Sequence, residues 1–411
     1  MPPAHHHMNT TMNRHTLAIQ PSEFAARTAA LLAYAAAQGH RAILLFDSTN
    51  ILYFTGFAFI PTERPIIYAL GTDGQQAMFV PRLEVEHVRS MTAVDRVYHY
   101  QEYPGSPHPM RHFYQALVEM GIIAAGGTLG ADHDGYPWIF GYEGPPLSEL
   151  SGMTVRNVQG QLNRMQARKS PAELALIRES CKWAHLAHVL LQRYTAVGVT
   201  ETAASLRAST EATLAMMDTI GPLYRSQSMW SNGPGAGYRG QIGRHAAIPH
   251  ALANNITFQP GDVLVTGAGC PLWGYHSELE RTMFVGEPDA RQREMFAHMM
   301  TVQEIAFAGM KPNVPCSEVD QAVRAYYDAH NLRPYWKHHS GHAIGLRYHE
   351  GPFLDTGDDT LLQPGMVFTV EPGLYVPDLG GFRHSDTVVI TENGLEILTY
   401  YPRQWEALVI A

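Results

Sequence analysis

Residues 169–173 read Lys169-Ser170-Pro171-Ala172-Glu173. Ser170 offers a side-chain acceptor to the free N–H groups of a helix start, Pro171 suits the first helical position, and Glu173 completes a capping box three residues after the cap. Beyond it Leu174, Ile177, Cys181, Leu186 and Leu190 recur at helical spacing, so a long helix with one buried stripe is expected to run to about Tyr194. A start this strongly marked, after the change of pattern over 163–170, reads as a domain boundary. The length of 411 residues also favours two domains over one. The expected division is residues 15–163 and 164–411, with 1–14, including His5, His6 and His7, a flexible N-terminus or tag remnant.

Upstream, the Ala and Leu spacing predicts a helix over 22–38, and short apolar runs predict strands over 42–46 and 51–54. Strands over 66–70 and 76–80 flank Gly71-Thr72-Asp73-Gly74, a hairpin signal, so this half reads as mixed α/β. Downstream, helices are expected over 200–218, 290–309 and 317–330, and strands over 262–265, 281–285, 366–370 and 387–390. The second half is therefore α+β with a catalytic sheet.

Hydrophobic residues make up 45% of the chain, enough for a large core. The net charge of -9 comes from scattered side chains, which argues against a nucleic-acid or other polyanion partner. Cys181, Cys270 and Cys316 are too few and too widely spaced for a disulfide framework and fit a reducing compartment. No signal-peptide pattern and no membrane-length apolar stretch is present, so a cytoplasmic protein without a membrane partner is expected.

Four polar clusters in the second half carry the candidate chemistry: Ala247-Ile248-Pro249-His250, the run from Gly274-Tyr275 to Arg281-Thr282, His338-His339-Ser340-Gly341-His342 continuing to His349-Glu350, and Val370-Glu371-Pro372-Gly373. Glu278 and Glu280 alternate with Leu279 and so share one face of a strand, which is costly unless they are paired or functional. Taken alone, that pair also fits a solvated face neutralised by Arg281. Gly233-Pro234-Gly235-Ala236-Gly237 reads as a flexible turn beside a pocket, and Trp230, Tyr238, Tyr275 and Trp336 as either core residues or aromatic walls for a cation.

In this order the clusters resemble the pita-bread family that contains aminopeptidase P, prolidase, methionine aminopeptidase and creatinase. The matching residues are the 169–173 entry, His250, Gly274-Tyr275 with Arg281-Thr282, Gly341-His342-x-x-Gly345 with His349-Glu350, Val370-Glu371-Pro372-Gly373, and Gly381-Phe382-Arg383. The resemblance implies an α+β protein with a C-terminal pita-bread catalytic domain, a smaller α/β creatinase-type N-terminal domain, and a homodimer. The family's metallopeptidases hold two metals with Asp, Asp, His, Glu and Glu. Here those places fall on Gly267, Glu278, His342, Glu371 and Ser385, so two of the five ligands are missing.

Creatinase is the family's metal-free precedent and guides the expected function. His250 stands twelve residues before Asp262, as creatinase's catalytic histidine precedes its own aspartate, and Glu63-Arg64-Pro65 is similar to the segment whose arginine reaches the partner subunit's site and holds a substrate carboxylate. The second substrate arginine of creatinase has no aligned counterpart, Arg347 being displaced. The resulting expectation is a hydrolase without metal or cofactor that cleaves an amidino, guanidino, ureido or cyclic amidine C–N bond in a small molecule. His250 would be general base and acid, and Glu280 and Glu371 would bind the substrate's cationic group. Arg64, His342, His349, Tyr275 and Glu278 would contact substrate, with His349 equally suited to packing beneath its loop. The alternative is a hydrolase or lyase of the same fold with one metal at Glu278, His342 and Glu371, like Xaa-Pro peptidases, ectoine hydrolase or sulfoniopropionate lyase; a silent binding protein is a third reading.

Overall fold

The computed structural model describes residues 17–411 apart from positions 95, 229 and 230. The readings of His5 to His7 and of Trp230 lie outside the described residues. The long capped helix runs over Pro171–Tyr194, with Ser170 accepting from the Glu173 N–H and the Glu173 side chain returning to the Ser170 N–H. The same capping box docks the first domain. Ser170 Oγ donates to Glu23 Oε1 (2.7 Å), and buried Glu173 accepts the Tyr275 hydroxyl (2.6 Å) while lying 3.3 Å from the Arg27 guanidinium. Arg27 belongs to the first helix, Pro21–Ala37, and also donates to Tyr53 O. A helix start required for local reasons thus serves as the joint between two domains.

The first domain is built on six strands, β1 (Ala42–Leu45), β2 (Ile67–Gly71), β3 (Gln76–Pro81), β4 (Arg96–Tyr100), β5 (Thr128–Ala131) and β6 (Thr154–Asn157), in the spatial order β4-β3-β2-β1-β5-β6. β2 and β3 form the expected hairpin, with Gly74 at a φ of 89° where a side chain would be strained. The strand expected over 51–54 is instead part of the helix Ser48–Thr55. Asp47 caps it by accepting from the Thr49 and Asn50 N–H groups, and Gly56 closes it in the left-handed conformation. Capping chemistry at both ends outweighs the apolar run, whose Ile51 and Phe54 face the core. The division expected at 163/164 falls inside the helix Gln159–Ala167, whose Leu162 belongs to the first domain's core.

The second domain carries a sheet whose strands lie in the order Glu350–Leu354, Gly341–Ala343, Val367–Val370, Ser385–Thr391, Leu279–Glu280, Gly267–Gly269 and Gly235–Gly237, with Gly394–Ile397 also paired to Ser385–Thr391. Helix Pro171–Tyr194 packs on Glu201–Ile220 and on the two glycine strands, while Ala290–Gly309 packs on Cys316–Ala329 and on Val367–Val370. Antiparallel register sets Glu280 opposite Ser385, and Leu279 and Val370 opposite Asp386. Among the described residues, no helix is long and apolar enough to cross a membrane.

At the centre of this sheet Arg281 and Asp386 form an ion pair (2.8 Å) with neither side chain exposed. Arg281 also donates to the carbonyls of Glu280 (2.7 Å), Ser385 (3.1 Å), Tyr401 (3.1 Å) and Pro402 (2.9 Å), so no part of its charge is left unsolvated. Asp386 is completed by Thr399 Oγ1 and Gln303 Nε2. Removing one partner strands a buried charge. Asp386→Ala should cost about 3–5 kcal/mol in unfolding free energy, measured as a lower urea midpoint, and the double change Arg281→Met with Asp386→Leu should recover most of that loss.

Candidate active site

Glu278, His342 and Glu371 come from three different strand ends, yet each offers a ligand atom and these atoms lie within 4.8 Å of one another. His342 stands in the strand Gly341–Ala343, Glu371 follows Val367–Val370, and Glu278 precedes Leu279–Glu280, so sheet pairing aligns them. Close backbone packing enters here. Gly341 has a φ of 159°, and a Cβ on it would lie 2.1 Å from Thr369 O, so only glycine lets His342 sit beside the next strand.

Each ligand candidate is oriented by a neighbour. His342 Nδ1 donates to Ala343 O (2.9 Å), which leaves Nε2 directed inward. Nε2 is buried and pairs with Glu371 Oε1 at 3.1 Å, at an angle outside good hydrogen-bond geometry. Ser385 Oγ donates to Glu278 Oε1 (2.7 Å), and the Glu278 N–H is held by Thr387 Oγ1 (2.8 Å).

The electrostatics follow from burial and proximity. Burial and the adjacent Glu371 and Glu280 carboxylates push the Glu278 carboxyl up to about 7. Burial opposes ionisation of Glu371 too, but His342 and Arg383 overcome it and hold the group well below the usual carboxylate range. For His342 burial acts downward, and its contact with Glu371 outweighs this and raises the imidazole to about 9. An inward-facing imidazole nitrogen and two converging carboxylates fit one divalent metal ion. They do not fit two. Gly267 has no side chain to ligate with, and Ser385 spends its hydroxyl on Glu278.

Glu280 does not join this set. Arg383 grips it with Nε to Oε2 (2.5 Å) and Nη2 to Oε1 (2.8 Å), and Arg239 Nη2 donates to the same Oε1 (2.8 Å). Two guanidinium groups on one carboxylate leave it no charge to offer a cationic substrate, so Glu280 is not the cation acceptor expected from its strand position. Tyr275 also lies apart. It is fully buried with its hydroxyl spent on Glu173 and Arg27, and so it joins the domains instead of contacting substrate.

A cavity of about 560 Å³ adjoins the carboxylates, lined in part by Glu278, Glu280, Arg239, Tyr348 and His349. His349 stacks on His342 with ring centroids 3.9 Å apart and planes at 17°. Burial and the His342 charge lower it to about 4, so it is neutral at physiological pH. His250 is exposed after the short helix Gly243–Ala247 and is not among the residues that line this cavity. Arg64 lies on the first domain, engaged with Glu63 and with Glu102 Oε1 (2.7 Å). Tyr238 is core, its hydroxyl on Thr195, and Trp336 sits under Arg324 and Arg333. Arg239 and Tyr348 were not singled out from the sequence, since neither belongs to a motif whose spacing marks it.

The sequence profile of metallopeptidase family M24 matches residues 175–392, and that of the creatinase/prolidase N-terminal domain matches 27–141. The chain is similar to the Xaa-Pro dipeptidase of Pyrococcus horikoshii, 26% identical over 88% of this chain and 93% of that protein. It is also similar to the Xaa-Pro dipeptidase of Pyrococcus furiosus, 38% identical over 39% of this chain and 47% of that protein. In three dimensions it resembles the dipeptidase PepE of Mycobacterium ulcerans with a TM-score of 0.79 and 24% identity, covering 95% of this chain and 99% of the other. These relatives overturn the expectation of a metal-independent, creatinase-like hydrolase of non-peptide C–N bonds, because the matching family is one of metallopeptidases and the similar proteins are named for peptide substrates. The neutralised Glu280 and the inward-facing His342 nitrogen supply the physical reason.

Elemental analysis of protein purified with a divalent metal in the buffer should give one ion per chain, and His342→Ala should lose that ion while keeping a single cooperative unfolding transition in urea. By its motifs in order, its matched profile over more than half the chain and its architecture, the chain belongs to metallopeptidase family M24, the pita-bread family of aminopeptidase P, prolidase and creatinase.

Proposed function

We propose that this protein is a metal-dependent hydrolase of the Xaa-Pro peptide type that works with a single ion held by Glu278, His342 and Glu371. The observation that carries the reading is the buried His342 Nε2 converging with the Glu278 and Glu371 carboxylates beside a cavity large enough for a dipeptide. The names of the similar proteins support the bond type. A bound divalent ion supplies polarisation of the scissile carbonyl and a water of lowered pKa.

The chain's own residues do the rest. The Ala343 carbonyl fixes the His342 tautomer, and Ser385 fixes the Glu278 carboxylate. Arg383 lies 3.8 Å from Glu371 and keeps that group ionised. Neutral His349 screens the outer face of His342 from water by stacking on it. His250, exposed after the helix Gly243–Ala247, takes a proton from water and returns it to the leaving nitrogen. Glu280 acts as a positioning residue through its two arginines.

In this reading the protein is a homodimer and Arg64 serves the partner's site. Its side chain is partly exposed on the first domain, which leaves it able to face a second copy. Three unpaired cysteines fit a cytoplasmic setting.

Hydrolysis of Ala-Pro should vanish with chelator and return with one equivalent of a divalent metal, whereas chelator-resistant turnover would sink the reading. His250→Ala should lower kcat by about 10²–10⁴-fold with metal content unchanged. Sedimentation should give a dimer, and Arg64→Ala should raise KM in that dimer without altering kcat.

A further inference from the structure

Three parallel strands of the first domain end at one place. β1 runs parallel to β5 and β5 to β6, while the other neighbour of β1, β2, is antiparallel, so the carboxyl ends of β1, β5 and β6 point the same way. In open sheets the crevice beyond such ends is where small molecules bind. Here each end delivers a polar side chain: Asp47 two residues after β1, Asp132 directly after β5, and Asn157 as the last residue of β6. A cavity of about 360 Å³ lies against all three and is faced from the second domain by Arg347, His349 and Glu350. Among the described residues it shares only His349 with the 560 Å³ cavity beside the metal-holding set.

No apolar side chain lines this crevice among the described residues, so a ligand held by hydrophobic contact does not suit it. Its charges are already met. Arg347 pairs with Asp47, and Glu350 with Lys169 (2.9 Å). Buried Asp132 takes three N–H donors instead of a cation, from the backbone of Phe46 (2.8 Å) and Asp47 (3.1 Å) and from the Asn50 amide (3.0 Å). An ion entering the space would lose its water and find no charge without a partner. The amides are fixed as well. Asn50 also donates to Gln159 Oε1 (3.0 Å), Gln159 Nε2 donates to Asn163 Oδ1 (2.6 Å), and Gln166 bridges Asn50 (2.9 Å) and Arg347 (3.1 Å). What this network leaves without a partner among the described residues is mixed: Asn163 Nδ2 is a donor, Asp47 Oδ2 an acceptor, and the His133 ring offers both.

We propose that the crevice between the domains is a second binding site, distinct from the metal-holding set, for a neutral polyhydroxy compound of the sugar or polyol class. A hydroxyl is one donor and two acceptors in an uncharged group, so several on a small ring or chain match the mixed groups that the wall presents. The wall is held in place before any ligand arrives, by the amide network on one side and the Arg347–Asp47 pair on the other, which lowers the cost of ordering on binding. His349 stands in both cavities and stacks on His342, so an occupant of the crevice lies one ring away from the metal-holding set. The assignment stands whether or not the chain hydrolyses peptides.

The test is isothermal calorimetry on the full chain with ribose, ribitol, glucose and glucitol, set against putrescine and glutarate as a cation and an anion of similar length. At least one of the four neutral compounds should bind with a Kd of about 1 mM or tighter, and neither ion should bind in that range. Binding should persist in His342→Ala, because that residue does not line the crevice. Asn163→Leu removes the free donor at an exposed position of the helix Gln159–Ala167, where leucine is a good helix former, so it should keep the urea midpoint and weaken binding about tenfold. His133→Ala, at an exposed position outside any helix or strand, is the second variant and should also weaken it. The proposal is overturned if none of the four neutral compounds binds in that range, if putrescine or glutarate binds as tightly as the best of them, if binding is lost in His342→Ala, or if Asn163→Leu and His133→Ala both leave the Kd unchanged.

Discussion

The guanidinium of Arg281, wholly inside the second domain, is the constraint from which the site is built. A charge there is tolerable only if every N–H finds an acceptor, and the acceptors come from the Asp386 carboxylate and from the carbonyls of residues 280, 385, 401 and 402. Satisfying one side chain therefore fixes the strand that follows Glu278, the strand that carries Ser385 and the segment 401–402 with respect to one another. Ser385 then meets Glu278, and the register places Glu280 under Arg383. Placement of the ligand candidates is a consequence of core electrostatics.

Charge also separates the two glutamates of that strand. Glu278 and Glu280 share a face and lie close enough to raise one another's cost of ionisation. Glu280 is compensated by two arginines and becomes a fixed dipole in the wall, while Glu278 has only a serine hydroxyl and the nearby His342. The group left short of positive charge is the one beside His342 and Glu371, which is where a cation fits. The missing carboxylates at 267 and 385 limit that fit to one ion, and the glycine at 267 leaves room that a side chain would have filled.

The two domains are joined through residues that read as catalytic candidates or as simple helix signals. Tyr275 and Glu173 close on Arg27 of the first domain, and Arg347, two residues before His349, bonds to Asp47, the cap of a first-domain helix. Lys169 pairs with Glu350 (2.9 Å) where both are buried. The loop that carries Tyr348 and His349 is thus held between domains, which ties the cavity wall to how the first domain is seated.

Much of the architecture was legible because local chemistry repeats what the fold requires. The capping box at 170–173, the helical stripe after it, the 71–74 hairpin and the ordered motifs each have one low-energy reading, and the helix at 48–55 was missed only because its cap lies outside the apolar run that suggested a strand. The candidates His342, Glu278 and Glu371 were likewise visible from motif order. What linear sequence left open was which charge meets which. Nothing in the spacing of Glu280, Arg383 and Arg239 says that two arginines converge on one carboxylate, or that Tyr275 turns away from the cavity to meet Glu173. Residue types and local signals determined the elements, the family and the ligand candidates, because those depend on contacts within a few residues. Only the tertiary structure decided how the three ligand candidates converge, the fate of Glu280 and the turn of Tyr275, because an electrostatic role is fixed by partners distant in the chain, as Arg383 is from Glu280, and by the water that burial removes.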